Sequence, residues 1–286
     1  MRDVVSLKAN DLSVSGIFVP AISCGATKKP LLVAIHGGSY TSSYFDVPGH
    51  SLIDRAVAHE LSVFVPDRPS YGRSSRLPRG LETIANSASL LSVAIGNLWT
   101  SLGQQSSAVF LIGHSVGAAV AVTIAARAER SWPLLGIAIS GIGIVPKAGM
   151  RAQIRSFPDT DPINPPNELK HSAMFGPVGT FDPRVPRLSD VANHGVPRTE
   201  IIDISRNWEL YFPVLATIVT VPVHYRLAAH DSVCHVGDDQ IAAVRSAFCN
   251  SPLVDASIVP NAGHCIDLHH CSQSFHEDQI GFSLRL

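Results

Sequence analysis

Short apolar runs that close on Gly, Pro, Asp or His constrain this chain more than any other feature. Three of them, LLVAIHGG (31–38), LSVFVPDRP (61–69) and AVFLIGHS (108–115), are rich in β-branched or aromatic residues. A strand with one wet face alternates polar and apolar residues, whereas continuous apolarity marks a strand covered on both faces, as in a parallel sheet. LLGIAISGIGI (134–144) and VPVHYRLAAHD (221–231) read the same way, and ASIVPNAGH (256–264) is a shorter sixth. Helix-like stretches lie between the runs, at 51–60, 81–102 and the alanine-rich 116–128. Strands alternating with helices predict an α/β fold with a doubly wound, mostly parallel sheet. The first twenty residues alternate more loosely and predict an antiparallel hairpin at one sheet edge.

The alternation breaks between residues 145 and 216. Prolines crowd the stretch 157–198, from Pro158 to Pro197, and forbid regular sheet or long helices there. A helical pattern returns in TEIIDISRNWELYFPVLATI, with Trp208, Tyr211 and Phe212 at near-helical spacing. Phe157, Phe175, Phe181 and the Trp208 group carry too much apolar surface for a disordered linker. The expected organisation is a core of residues 1–144 and 217–286, with 145–216 inserted as a cap over one end of the sheet.

Charge and cysteine usage exclude several function classes. The 286 residues carry 22 basic and 23 acidic side chains, a formal net charge of -1, so no basic patch for nucleic acid is expected. No apolar run reaches the roughly 18 residues of a membrane span, and MRDVVSLKANDLSVSG lacks a signal-peptide core. A soluble, cytoplasmic protein is the simplest expectation. Five scattered cysteines (Cys24, Cys234, Cys249, Cys265, Cys271) do not form a secreted disulfide framework. HDSVCH and GHCIDLHHC invite a zinc reading, but no CxxC or HExxH spacing supports it. Neither a metal nor a cofactor is expected.

The chemistry centres on Gly113-His114-Ser115-Val116-Gly117, a G-x-S-x-G match that follows an apolar strand and opens a helix. In such a strand–turn–helix the two backbones pass so closely that residues two before and two after the serine must be small. The turn lifts Ser115 clear of the sheet and turns the Val116 N–H toward the same space. A serine hydroxyl needs a base to take its proton, and the base needs an orienting acid. His264 follows a strand and a turn and is the expected base, with His269 and His270 as rivals in what reads as a helix. Asp231 ends an apolar run and is the expected acid, with Asp238, Asp239 and Asp255 as alternatives. In HGGSY (36–40), glycines let the backbone approach a substrate, which makes the Gly38 N–H the expected second oxyanion donor beside Val116. Gly37, Ser39, Tyr40, His114 and Trp208 are expected to line the substrate pocket.

The order HGG, PDRPSYGRSS, GHSVG, Asp231 and AGH resembles the α/β-hydrolase fold family over nearly the whole chain. The resemblance implies that the elbow serine is the nucleophile and that the late Asp and His complete its triad, at Ser115, Asp231 and His264. Residues 145–216 match the family's variable cap. DRPSYGRS is similar to the family's D-x-x-G-x-G-x-S turn, with Ser70 where the first glycine is usual. Family members that open epoxides or cleave haloalkanes use aspartate at the elbow, and the serine here argues against both.

The residues imply attack on an activated carbonyl through an acyl-serine, and the apolar aromatic insert implies a mostly apolar small molecule as partner. The leading expectation is hydrolysis of a carboxylic ester or lactone. The same triad also serves thioesterases and C–C bond hydrolases of polyketide-like metabolites. Some relatives with an intact triad act as lyases, cyclases or peroxidases, and a ligand-binding member that hardly turns over is the reading of a different class.

Overall fold

The alternating runs assemble into one eight-stranded sheet in the computed structural model, which describes residues 2–21, 28–102, 105–157 and 159–286. Cys24 and Pro158 lie outside the described residues. The strands are β1 (Asp3–Ala9), β2 (Leu12–Val19), β3 (Leu31–Ile35), β4 (Val63–Pro66), β5 (Val109–His114), β6 (Leu134–Ser140), β7 (Val223–Ala228) and β8 (Val254–Val259). Their order is β1-β2-β4-β3-β5-β6-β7-β8. β1, β2 and β4 pair antiparallel, and every pair from β4 to β8 is parallel. The expected edge hairpin is β1–β2, closed by Asn10-Asp11 with Asn10 at φ 56°, a conformation asparagine tolerates. Each expected core strand is present but shorter than its apolar run, because the turn residues that close the run leave the ladder.

Continuous apolarity follows from burial of both faces. In β3, Leu31, Val33 and Ile35 join a core with side chains of α2 (Ile84–Ser101), α3 (Val116–Ala125), α7 (Arg198–Ile218) and α8 (Asp238–Ala247). Leu32 and Ala34 face the other way, onto α1 (Leu52–Ala58) and α9 (Ser272–Leu284). β5 divides its residues likewise, Val109 and Leu111 against Phe110 and Ile112. Nine of the ten residues of α3 are buried, so its small side chains are what let it lie close against the sheet. Ser51 and Thr83 cap α1 and α2 by accepting hydrogen bonds from the Asp54 and Asn86 N–H groups.

The chain leaves β3 for β4 on one side and then crosses back to β5 on the other, so the winding reverses between β3 and β5. In open α/β sheets the crevice outside the strand ends at such a point receives ligands. The HGG turn follows β3 here and Ser115 follows β5. Between β6 and β7 run α4 (Met150–Arg155), α5 (Asn167–Met174), α6 (Val185–Ser189) and α7. Pro166, Pro186 and Pro197 stand at the starts of α5, α6 and α7, where a missing N–H costs nothing. Phe175 and Val185 join one core and Trp208 and Phe212 the other, so the segment is packed. His269 and His270, expected in a helix, instead join a 3-10 turn (Ile266–Leu268) to α9. No described helix is long and apolar enough to cross a membrane.

Candidate active site

Steric necessity shapes the turn at Ser115. A Cβ on Gly117 would stand 2.0 Å from the Ile35 carbonyl oxygen, and one on Gly113 would stand 2.7 Å from the Ala118 Cα. With both positions reduced to glycine, β5 can pass directly into α3, and Ser115 is forced to φ 54°, ψ -121°. A non-glycine residue holds such a conformation only when its surroundings over-determine it. This one projects the hydroxyl over the end of the sheet.

His264 and Asp231 arrive from two later loops. His264 Nε2 lies 2.9 Å from Ser115 Oγ, and His264 Nδ1 lies 2.8 Å from Asp231 Oδ2. Asp231 Oδ1 accepts the N–H groups of Val233 (2.7 Å) and Cys234 (2.9 Å). Burial pushes the Asp231 carboxyl up, but the neighbouring His264 charge and these donors outweigh it and leave the group below the usual carboxylate range. Acting as acceptor, Asp231 fixes the proton on Nδ1 and leaves the Nε2 lone pair for the serine. Two of the rival acids are engaged elsewhere: Asp255 pairs with Arg226, and Asp239 with His235 at an exposed helix start. His269 donates from Nδ1 to the Cys265 carbonyl and accepts the Gly263 and Gly176 N–H groups at Nε2, which fixes it as neutral. Burial lowers its pKa to about 4.

The HGG turn runs against the elbow. Cβ atoms built on Gly37 and Gly38 would lie 3.1 Å from Ser115 Cβ and 3.4 Å from Val116 Cγ2. Gly37 does not line the cavity. Its carbonyl accepts from His36 Nδ1 (2.8 Å) and Arg68 Nη2 (3.1 Å), and the Arg68 N–H donates to His36 Nε2 (3.0 Å). Arg68 also holds Glu200 of α7 in a fully buried pair, Nη1 to Oε2 at 2.5 Å, and the Tyr71 hydroxyl donates to Glu200 Oε1. In the turn containing Arg68, Ser70 takes φ 71° where a glycine is usual, and its Oγ accepts the Leu77 N–H. The reach of Arg68 to Glu200 was not legible, because the partner lies 132 residues away.

A cavity of about 190 Å³ opens above Ser115, bordered by Gly38, Ser39, Tyr40, His114, Val116 and His264 on the core side. Its apolar wall comes from Ile142 and from the insert, chiefly Met150, Ile154, Leu169, Ile201 and Ile204. Trp208, expected at the pocket, does not line this cavity. Its indole N–H donates to the Gly143 carbonyl (3.0 Å) and its ring packs against Phe212 in the core, where near-helical aromatic spacing on an amphipathic helix commonly points. Two charged residues that the sequence did not announce, Lys170 and Glu200, also border the cavity, both buried. Burial lowers Lys170 to about 8 and His114 to about 3. Among the described residues, the group with metal-like spacing is His224, Asp255 and Asp278, far from Ser115 in sequence and spanned by the Arg226 guanidinium, which donates to both carboxylates.

Comparison with known proteins agrees with this architecture. The chain matches the model of the alpha/beta hydrolase family over residues 32–274, and it belongs to that family. No curated protein matches it significantly in sequence. Among solved structures, it resembles a thermophilic esterase from Thermogutta terrifontis, with a TM-score of 0.67 at 15% identity and 99% of each chain covered. It is similarly close to an esterase from Exiguobacterium antarcticum, at TM-score 0.70, 15% identity and 98% coverage of both chains. An epoxide hydrolase from Vigna radiata superposes as well, at TM-score 0.70, 15% identity, 100% of this chain and 98% of the other. These likenesses define the shared fold, and the reaction has to be argued from the site.

Proposed function

We propose that this α/β hydrolase cleaves a carboxylic ester or lactone of an apolar small molecule through an acyl-serine intermediate. The observation that carries the reading is the unbroken line Ser115 Oγ–His264 Nε2 and His264 Nδ1–Asp231 Oδ2, at 2.9 and 2.8 Å. In this reading His264 takes the Ser115 proton as Oγ attacks the carbonyl carbon. The Gly38 and Val116 N–H groups receive the charge that develops on the carbonyl oxygen. His264 then returns the proton to the leaving alkoxide, and a water activated by the same nitrogen releases the acid and restores Ser115. Residues 145–216 act as the cap, whose Met150, Ile154, Leu169 and Ile201 accommodate the apolar part of the substrate. The esterases among the structural relatives are consistent with this chemistry, and a serine at the elbow distinguishes the chain from aspartate-dependent members.

The test is chemical. A fluorophosphonate probe should label Ser115, and Ser115→Ala should abolish p-nitrophenyl ester cleavage while its circular dichroism stays that of the wild type. Asp231→Asn should lower kcat by about 10⁴, as loss of the orienting carboxylate does elsewhere. Asp255→Asn should leave kcat within twofold. An unlabelled serine, or the reverse ranking of the two aspartates, rules the assignment out.

A further inference from the structure

α5 touches each of the three loops from which the site is built. The last four carbonyls of a helix have no partner within it, and when buried they need donors from elsewhere. At the end of α5 those donors are the Ser232 hydroxyl, 2.5 Å from the Ala173 oxygen, and the Cys265 N–H, 2.9 Å from the Met174 oxygen. Ser232 adjoins Asp231 and Cys265 adjoins His264, so the loops of the acid and the base both rest on the same helix end.

The third contact comes from the middle of the helix. Lys170 Nζ donates to the Ser39 carbonyl oxygen at 2.8 Å, donates to Asn193 Oδ1, and lies 3.5 Å from the centre of the Tyr40 ring. Ser39 holds φ 62°, and its carbonyl also accepts the His194 N–H at 3.0 Å. Both donors therefore come from the insert. The Ser39–Tyr40 peptide that Lys170 grips lies two peptide planes beyond the one carrying the Gly38 N–H, so anchoring this carbonyl sets the path of the short loop on which Gly38 sits.

We propose that Lys170 is a positioning residue for the Gly38 oxyanion donor, and that α5 is the element that brings oxyanion loop, acid loop and base loop into register. The proposal rests on the serine-hydrolase reading above. It makes the insert part of the catalytic geometry as well as a wall of the pocket. An ammonium at this place acts through Ser39 and never touches the reacting atoms, so its loss weakens transition-state binding and leaves ground-state binding of the apolar chain intact.

The experiment compares steady-state hydrolysis of a p-nitrophenyl ester and the rate of fluorophosphonate labelling in the wild type, Lys170→Met, Ser232→Ala and the exposed insert control Arg184→Gln. Lys170→Met should lower kcat about 100-fold, the scale of one lost oxyanion donor, with KM changed less than about threefold. Ser232→Ala should lower kcat about fivefold, the worth of one hydrogen bond, again at constant KM. Labelling should slow in step with kcat, and Arg184→Gln should match the wild type. A folded Lys170→Met with kcat within twofold of wild type, or with its loss confined to KM, overturns the proposal. If Lys170→Met does not fold, Ser232→Ala decides: the fivefold fall supports α5 as the organiser, and an unchanged kcat overturns it. A wild type that never labels overturns the hydrolase reading, and this proposal with it; a wild type that labels while the folded variants label equally fast overturns this proposal alone.

Discussion

Three of the described serines, Ser39, Ser70 and Ser115, take a positive φ, and the two that border the cavity are held by different means. Ser115, at φ 54°, is fixed from within the sheet by Gly113 and Gly117, whose missing Cβ atoms leave room for the Ala118 backbone and the Ile35 carbonyl. Ser39, at φ 62°, is fixed from outside by Lys170 and His194, which belong to the segment inserted between β6 and β7. Ser115 is thus part of the core, whereas the loop that carries Gly38 and Ser39 is held by contacts from the insert. One half of the site folds with the sheet, and the other half is completed by a separate layer.

Variants at each place expose the contrast, the largest effect first. Gly117→Ala puts a methyl 2.0 Å from the Ile35 oxygen and 2.5 Å from the His36 oxygen, an overlap with backbone that cannot step aside as a side chain would. It should cost more than about 4 kcal/mol and remove the soluble protein altogether, as read by expression and thermal melting. A second effect comes from pH. His269, which joins Gly176 of the insert to Gly263 beside His264, has its folded pKa lowered to about 4. A lowered histidine pKa means that the unfolded chain takes up the proton first. Its stabilising contribution is therefore complete above about pH 6.5 and is lost as pH falls toward 4. Melting temperature should fall over that window, and His269→Gln, which keeps an acceptor that does not titrate, should flatten the slope. The remaining slope belongs to other buried imidazoles such as His114, whose pKa burial lowers to about 3.

The smallest effects test the two serines directly. Glycine adopts a left-handed φ without strain, so Ser115→Gly and Ser39→Gly should each raise stability by about 0.5–1 kcal/mol in urea titrations. They should part in activity. Ser115→Gly removes the hydroxyl and with it all turnover, while Ser39→Gly keeps the nucleophile and loosens only the loop, lowering kcat severalfold at constant KM. Equal and complete losses would mean that the two turns are not distinct supports.

What the sequence revealed follows the same division. Ser115, His264 and Asp231 each stand at the end of an apolar run, and a strand end is something that composition and periodicity announce. Gly38, which borders the cavity, also follows such a strand end. Lys170 and Glu200 were not legible, because each meets its partner across more than 130 residues, and Lys170 lies in a proline-broken stretch without a periodic pattern. Trp208 shows the converse: aromatic spacing identified a buried helix face but not which of its residues border the cavity above Ser115. α8, polar in composition, also escaped notice, although it covers one face of the sheet.

The buried Arg68–Glu200 pair carries a consequence for anyone who would exchange the insert for that of another hydrolase. Glu200 travels with the insert and Arg68 stays with the core. A graft lacking a carboxylate at that place leaves a guanidinium sealed in an apolar interior, a far greater penalty than any misfit of the aliphatic wall. Changes of selectivity in this chain should therefore be sought by altering Met150, Ile154 or Leu169 one at a time, with Lys170 and Glu200 treated as part of the host.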